Sequence, residues 1–437
     1  VLEASGDPSQ GLVAADRLCD LVPGSGHLLH MPCHIYVQTG NWEKAIIQSE
    51  KAMRADKRYR ALSPEQTVQH VYMTHNAHML AYAAMMIGRE KEAMTAARDM
   101  WENVSEGTLR KLGPGLDRWM CSVYDVQKRF GRWDAIIKEP APPKFMPVTT
   151  AQWHAAQAVA YATKKDFKNA ELKHKAFKET VAGIPEKTPW GRDSAQKVLA
   201  VADYFIAGEI ALQKGEWGSA VELLEEAVQV RPDFAAGLNR LSLAYGRLGL
   251  INEAIATIQK ALEIVPHNAE HPAPLGQRAL EQGSLSAAES AFRNSLELDD
   301  AQPHALYGLA EVARRRGRYE LALERVDAAL ADPRLDAILA GRFRAYRTEV
   351  LDEKANFERL EGLVDTCEAE SDHYSELALI YAARRLWEHA SELQRQVDPS
   401  PDQRERLAFM LFRANRFREA HEIYVDLLAE TATATAA

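Results

Sequence analysis

A chain of 437 residues, 46% of them hydrophobic and 26% charged, can bury two or three ordinary cores or one long repeat array; its composition is not that of a disordered protein. No apolar run reaches membrane-span length, and the net charge of −9 argues against a general nucleic-acid binder. The four cysteines, Cys19, Cys33, Cys121 and Cys367, show neither CxxC pairs nor zinc-ribbon spacing, so no disulfide framework is indicated.

In chain order, the first stretch is 1–137, which reads as irregular helical repeats rich in histidine. Gly6 lies 34 residues before Gly40, and Pro23 stands where such a repeat would close, so 1–5 read as the tail of a helix whose beginning is absent. Gly40, Trp42, Ala45 and Ala52 make one unit, Gly88, Ala93 and Ala97 another, and Gly131 with Trp133 a poorer one. The segment 102–116, with three glycines and a proline, reads as an interruption. Next comes 138–195. It holds a proline-rich linker at 138–150, a degenerate repeat around Phe167 and Ala170, and a second interruption at 182–194.

The stretch 196–335 is regular. Gly215, Gly249, Gly283 and Gly317 recur every 34 residues, each where a chain turning between helices needs positive φ. Two residues on stand Trp217, Ile251, Leu285 and Tyr319, and three further on Ala220, Ala254, Ala288 and Ala322. Leu224, Ile258, Phe292 and Val326 follow at helical spacing, and Pro232 and Pro266 close two of the repeats. The last stretch, 336–437, is helical and degenerate, with the pattern resuming at Trp387 and Ala390 and at Phe417 and Ala420.

This pattern resembles the tetratricopeptide repeat. The resemblance implies an all-α solenoid, a right-handed superhelix of stacked helix-turn-helix units, with a groove lined by the first helix of each pair. The run from Pro23 to Tyr36, containing His30-Met31-Pro32-Cys33-His34-Ile35, followed by His75-Asn76-Ala77-His78, is similar to a run in large bacterial tetratricopeptide proteins, whose chains continue upstream. That likeness implies a bacterial source and no particular reaction; Cys33 stands where a hydroxyl side chain or alanine is commoner.

Counting back from Gly40 as position 15 of a repeat, His27, His30 and His34 occupy positions 2, 5 and 9; from Gly88, His75 and His78 occupy 2 and 5. In the resembled fold these positions face the groove, so the two groups should converge. Neutral imidazoles at such spacing suit copper, zinc or iron. His30, His34, His75 and His78 are the candidate metal ligands, with His27 and His70 as outer members. The alternative is that they are hydrogen-bonded core histidines. Pro32 interrupts the first helix beside them.

Other groove candidates are Tyr82, Arg118, Asp125, Asn239, Arg240 and Arg247. Asp117 and Cys121 extend the polar strip, and Arg314, Arg315 and Arg316 form a basic cluster near Glu311. There is no P-loop, GxSxG or dinucleotide fingerprint, so whether the chain is an enzyme stays open. The leading function is a scaffold gripping a protein or peptide in its groove. The alternatives are a metal-dependent protein built on the histidines and a self-associating structural subunit. No nucleic acid or membrane span is expected, and the compartment stays open.

Overall fold

The computed structural model describes residues 2–19, 21–63, 69–102, 104–191, 193–266, 272–300, 302–332, 335, 337–366 and 369–434; Cys367 lies outside them. Among these, helix follows helix from Leu12–Leu18 to Phe417–Ala434. The sheet is a hairpin of two two-residue strands, Pro189–Trp190 and Asp193–Ser194. The all-α expectation therefore holds. The chain forms two compact units, Val1–Ala305 and Leu306–Ala437, divided within the helix Pro303–Arg315.

In the first unit, each helix pair is closed by the same backbone device. Gly40, Gly88, Gly131, Gly215, Gly249 and Gly283 all have φ between 65° and 84°. At Gly215 this lets the next N–H, of Glu216, reach back to the Ala211 carbonyl at 3.0 Å, which ends the helix Ala195–Lys214 and turns the chain. Lys165 takes the position without being glycine, at φ 64°. In the second unit Gly317 has φ 73°, Arg385 62° and Asn415 63°. Arg385 and Asn415 stand two residues before Trp387 and Phe417, so the degenerate repeats keep the turn after losing its usual residue.

Five residues after the turn comes the small residue that lets paired helices approach. Ala45, Ala93, Ala170, Ala220, Ala254 and Ala288 in the first unit, and Ala322 and Ala390 in the second, have no solvent exposure. Within each unit the apolar faces of successive pairs pack on one another, for example Trp217–Val230 on Ala235–Arg247 and Trp387–Gln394 on Pro401–Arg413.

Three expectations need correction. Gly6 does not adopt the left-handed conformation, and 2–4 form a 3-10 turn instead of the tail of an α-helix. Residues 106–116 are the helix Glu106–Leu116, not a loop: the Ser105 hydroxyl caps the Thr108 N–H, and Leu109 and Leu116 are buried beneath it. Of the linker only 139–146 is non-helical, and it is pinned in place. Arg98 and Gln127 bind the Glu139 carboxylate, Met146 is fully buried, and Trp153 Nε1 donates to the Glu139 carbonyl at 3.1 Å.

Candidate functional site

The helix Gly26–Gln38 begins at Ser25, whose hydroxyl accepts the Leu28 N–H. Pro32 lies inside it and has no N–H to give the Leu28 carbonyl, yet the helix runs on to Gln38. His30 and His34 are one turn apart on the face turned toward the helix Gln69–Met86, which carries His75 and His78.

The imidazoles meet. His30 Nε2 lies 2.9 Å from His34 Nε2, and the His75 ring centroid is 4.7 Å from that of His30 and 5.4 Å from that of His34. One ring nitrogen from each of His30, His34 and His75 lies within 4.8 Å of the others. His75 and His78 both stack on Trp119, at 5.0 Å and 5.9 Å. His34 Nδ1 lies 2.7 Å from the Glu3 carboxylate, 31 residues earlier.

His30 is 1% exposed. Its Nδ1, and those of His75 and His78, are buried without a hydrogen-bond partner. Burial, aided by the neighbouring imidazoles, holds His30 down to about pKa 2 and His75 to about 3; burial also lowers His78. All three are therefore neutral.

The structure does not bring the outer members in. His27 is exposed against Tyr72, at 4.6 Å between ring centroids. His70 lines a separate small cavity with Asp56, Arg60 and Asp99. Cys33 faces the paired helix instead of the histidines. It lies 3.4 Å from Ser49 Oγ, fully buried, with its thiol pushed up to about 12 by burial.

Arg118 and Asp125 flank the cluster. The Arg118 guanidinium lies 4.4 Å from the Trp119 ring centroid, and Asp125 pairs with Lys128 at 2.8 Å. Tyr82 packs edge-on to Trp42, at 6.0 Å between centroids. Asp117 has a structural task. Its carboxylate accepts the Val148 and Thr149 N–H groups, both at 2.8 Å, at the start of the helix Pro147–Thr163. Burial nevertheless raises its pKa.

Of the regular-repeat candidates, Arg240 Nε lies 2.7 Å from the buried Glu209 carboxylate. Arg247 sits 5.7 Å from the Trp217 ring centroid, and Asn239 is half-buried. The basic cluster of the second unit holds the protein's own carboxylate: Glu311 accepts from Arg314 at 2.8 Å, Arg315 at 2.6 Å and Tyr346 at 2.8 Å.

A groove that the sequence reading missed lies in the second unit. Leu379, Ala382 and Ala383 of the helix Ser371–Ala383 line it together with Asp402, Glu405 and Phe409 of the helix Pro401–Arg413, with Trp387 and Tyr424 alongside. Leu379 is 45% and Phe409 47% exposed. Counting back from Arg385 and Asn415 as position 15 places Leu379 and Phe409 both at position 9, but these turns lack the glycine that marks the register. Glu3 carried no signal either, because residues 1–5 read as a helix tail with no register link to the histidines.

A family model described as tetratricopeptide repeat matches residues 207–269 and 274–337. The chain is 26% identical over 180 residues to the protein CTR9 homolog of Arabidopsis thaliana, covering 40% of this chain and 15% of that protein. It is 29% identical over 143 residues to heat shock protein STI1 of Saccharomyces cerevisiae, covering 31% and 24%. It thus spans at most 24% of the length of either relative. Among solved structures it is similar to a chain of the APC/C hetero-tetramer Cut9-Hcn1, at 12% identity and a TM-score of 0.41, covering 96% of this chain and 78% of that one. A TPR protein of Thermus thermophilus matches at 19% identity and a TM-score of 0.37, covering 45% and 97%. The 34-residue register, the repeated left-handed turn and the family match together show tetratricopeptide repeats at 207–269 and 274–337.

Proposed function

We propose that the chain is a scaffold that holds a segment of a protein partner against the first helices of its repeats. One observation carries this: Leu379 and Phe409, at 45% and 47% exposure, line a groove instead of completing a core. An unfilled apolar floor between neighbouring first helices is the kind of surface that receives an apolar anchor from a peptide or partner helix. Asp402, Glu405 and Arg406 border the same groove, two acidic groups to one basic. The partner segment we infer is therefore an apolar residue flanked by lysine or arginine.

The test is fluorescence polarisation with labelled peptides that carry a leucine or phenylalanine anchor between basic residues, and with the same peptides made acidic. We expect saturable binding of the basic set only. Phe409→Ser should weaken it by about 10- to 100-fold, the range of an interface anchor worth roughly 1–3 kcal/mol. Equal binding of both sets, or no effect of Phe409→Ser, would overturn the assignment of this groove.

A further inference from the structure

We infer that His30, His34 and His75 form a three-imidazole site for a first-row transition-metal ion, with Glu3 as the group that positions His34.

The argument begins with proton placement. A carboxylate only accepts, so His34 Nδ1, 2.7 Å from Glu3, carries the hydrogen. In neutral His34 the Nε2 is then a lone pair, and it points at His30 Nε2 from 2.9 Å. If His30 Nε2 donates across that gap, His30 Nδ1 becomes a buried lone pair with no donor. If it does not, two lone pairs face each other. Either tautomer leaves an uncompensated acceptor in the interior, a net loss of stability. A cation shared by the rings removes the facing lone pairs, because both Nε2 atoms then act as donors of electron pairs; the Nδ1 N–H of His30 stays buried without an acceptor.

The geometry accepts such an ion. Two nitrogens bound at about 2.0–2.1 Å lie about 2.9 Å apart at a right angle and about 3.3 Å apart at the tetrahedral angle. The 2.9 Å separation of the two Nε2 atoms fits this range, and His75 places a third nitrogen within 4.8 Å of both, near enough for a side-chain adjustment to complete the set. The His34–Glu3 hydrogen bond is what a ligating imidazole uses to hold its ring and raise its basicity. A set made only of imidazoles suits zinc, copper, nickel or iron and not magnesium or calcium. Cys33 and Cys121 take no part: Cys33 bonds to Ser49, and the Cys121 thiol bonds to the Arg118 carbonyl at 3.1 Å.

The experiment is calorimetric titration of zinc(II) into the full chain after chelator treatment. One ion per chain is expected. His34→Gln and His75→Gln should each abolish that stoichiometric uptake. Glu3→Gln touches no ligand atom and should weaken binding about 10- to 100-fold while leaving the stoichiometry intact. Copper(II) should quench the fluorescence of Trp119, which stacks on His75, and Trp119→Phe should remove that part of the quenching. His34 is partly exposed, so His34→Gln is expected to keep the helical circular dichroism of the parent even if His75→Gln does not. Absence of saturable one-to-one binding overturns the inference, and so does binding that His34→Gln and Glu3→Gln leave unchanged. Peptide binding at Phe409 is read separately, so failure here does not touch the scaffold reading.

Discussion

The repeats at 26–102 and those at 195–298 share a turn, a helix pairing and a small buried residue, yet they use the face of the first helix in opposite ways. In the regular repeats that face is exposed or closed by ion pairs: Arg240 reaches the buried Glu209, and Arg278 Nη1 lies 2.9 Å from Glu281. In the histidine-bearing repeats His30, His75 and His78 on that face are largely covered and neutral, each with an Nδ1 short of a hydrogen-bond partner. A polar face whose charges are paired contributes to stability, even where a carboxylate oxygen such as Glu209 Oε1 has an ion pair and no well-formed hydrogen bond. One that is left unsatisfied and buried costs stability, and proteins concentrate such costs at sites that bind something.

The largest expected effect tests whether the irregular region is ordered by design or only filled in. Asp117→Ala should lower the unfolding free energy by about 2–4 kcal/mol, since it removes a charged acceptor from two buried N–H groups at the start of Pro147–Thr163. Chemical denaturation measures this, and a change under 1 kcal/mol would mean that the linker holds itself in place. Next comes a pair of changes with opposite signs. Arg240→Leu should destabilise by about 1–2 kcal/mol by stranding Glu209, a figure reduced because the arginine is partly exposed. His30→Leu in chelator-treated protein should leave stability unchanged or raise it by about 1 kcal/mol, because it removes a buried unpaired nitrogen. If His30→Leu is as costly as Arg240→Leu, the contrast between the two faces fails.

The second unit sharpens the comparison through pH. Arginine and tyrosine donors hold Glu311 below the usual carboxylate range, against the opposing effect of its burial. A depressed carboxylate adds stability above the unfolded value near 4.5, and that contribution is lost as pH falls through the folded value. Denaturation midpoints measured from pH 7 downward should therefore fall below about pH 5, and Glu311→Gln should flatten that decline. The smallest effect concerns the turns. Arg385 adopts φ 62° without being glycine. Arg385→Gly should stabilise by about 0.5–1 kcal/mol, after allowing for the greater freedom glycine has in the unfolded chain. A fall in Tm would mean that the arginine side chain makes up the backbone cost.

Periodicity determined the helix pairs, because a 34-residue recurrence of glycine, bulky residue and alanine repeats one local solution to turning and close packing. It also placed His30, His34, His75 and His78 on facing first helices, since one turn of helix and one repeat of offset are both countable. It failed where turn residues drifted. Arg385 and Asn415 hold the glycine conformation without the glycine, so the register that exposes Leu379 and Phe409 could not be counted. Glycines alone misled at 102–116, where a serine cap and buried leucines make a helix. Only tertiary structure decided which histidines share a point, that Glu3 reaches His34 across 31 residues, that Trp119 floors His75 and His78, and that Glu311 fills the arginine clamp. The reason is physical: spacing sets the face a side chain occupies, while the partner it finds there depends on the packing of elements that no single period relates.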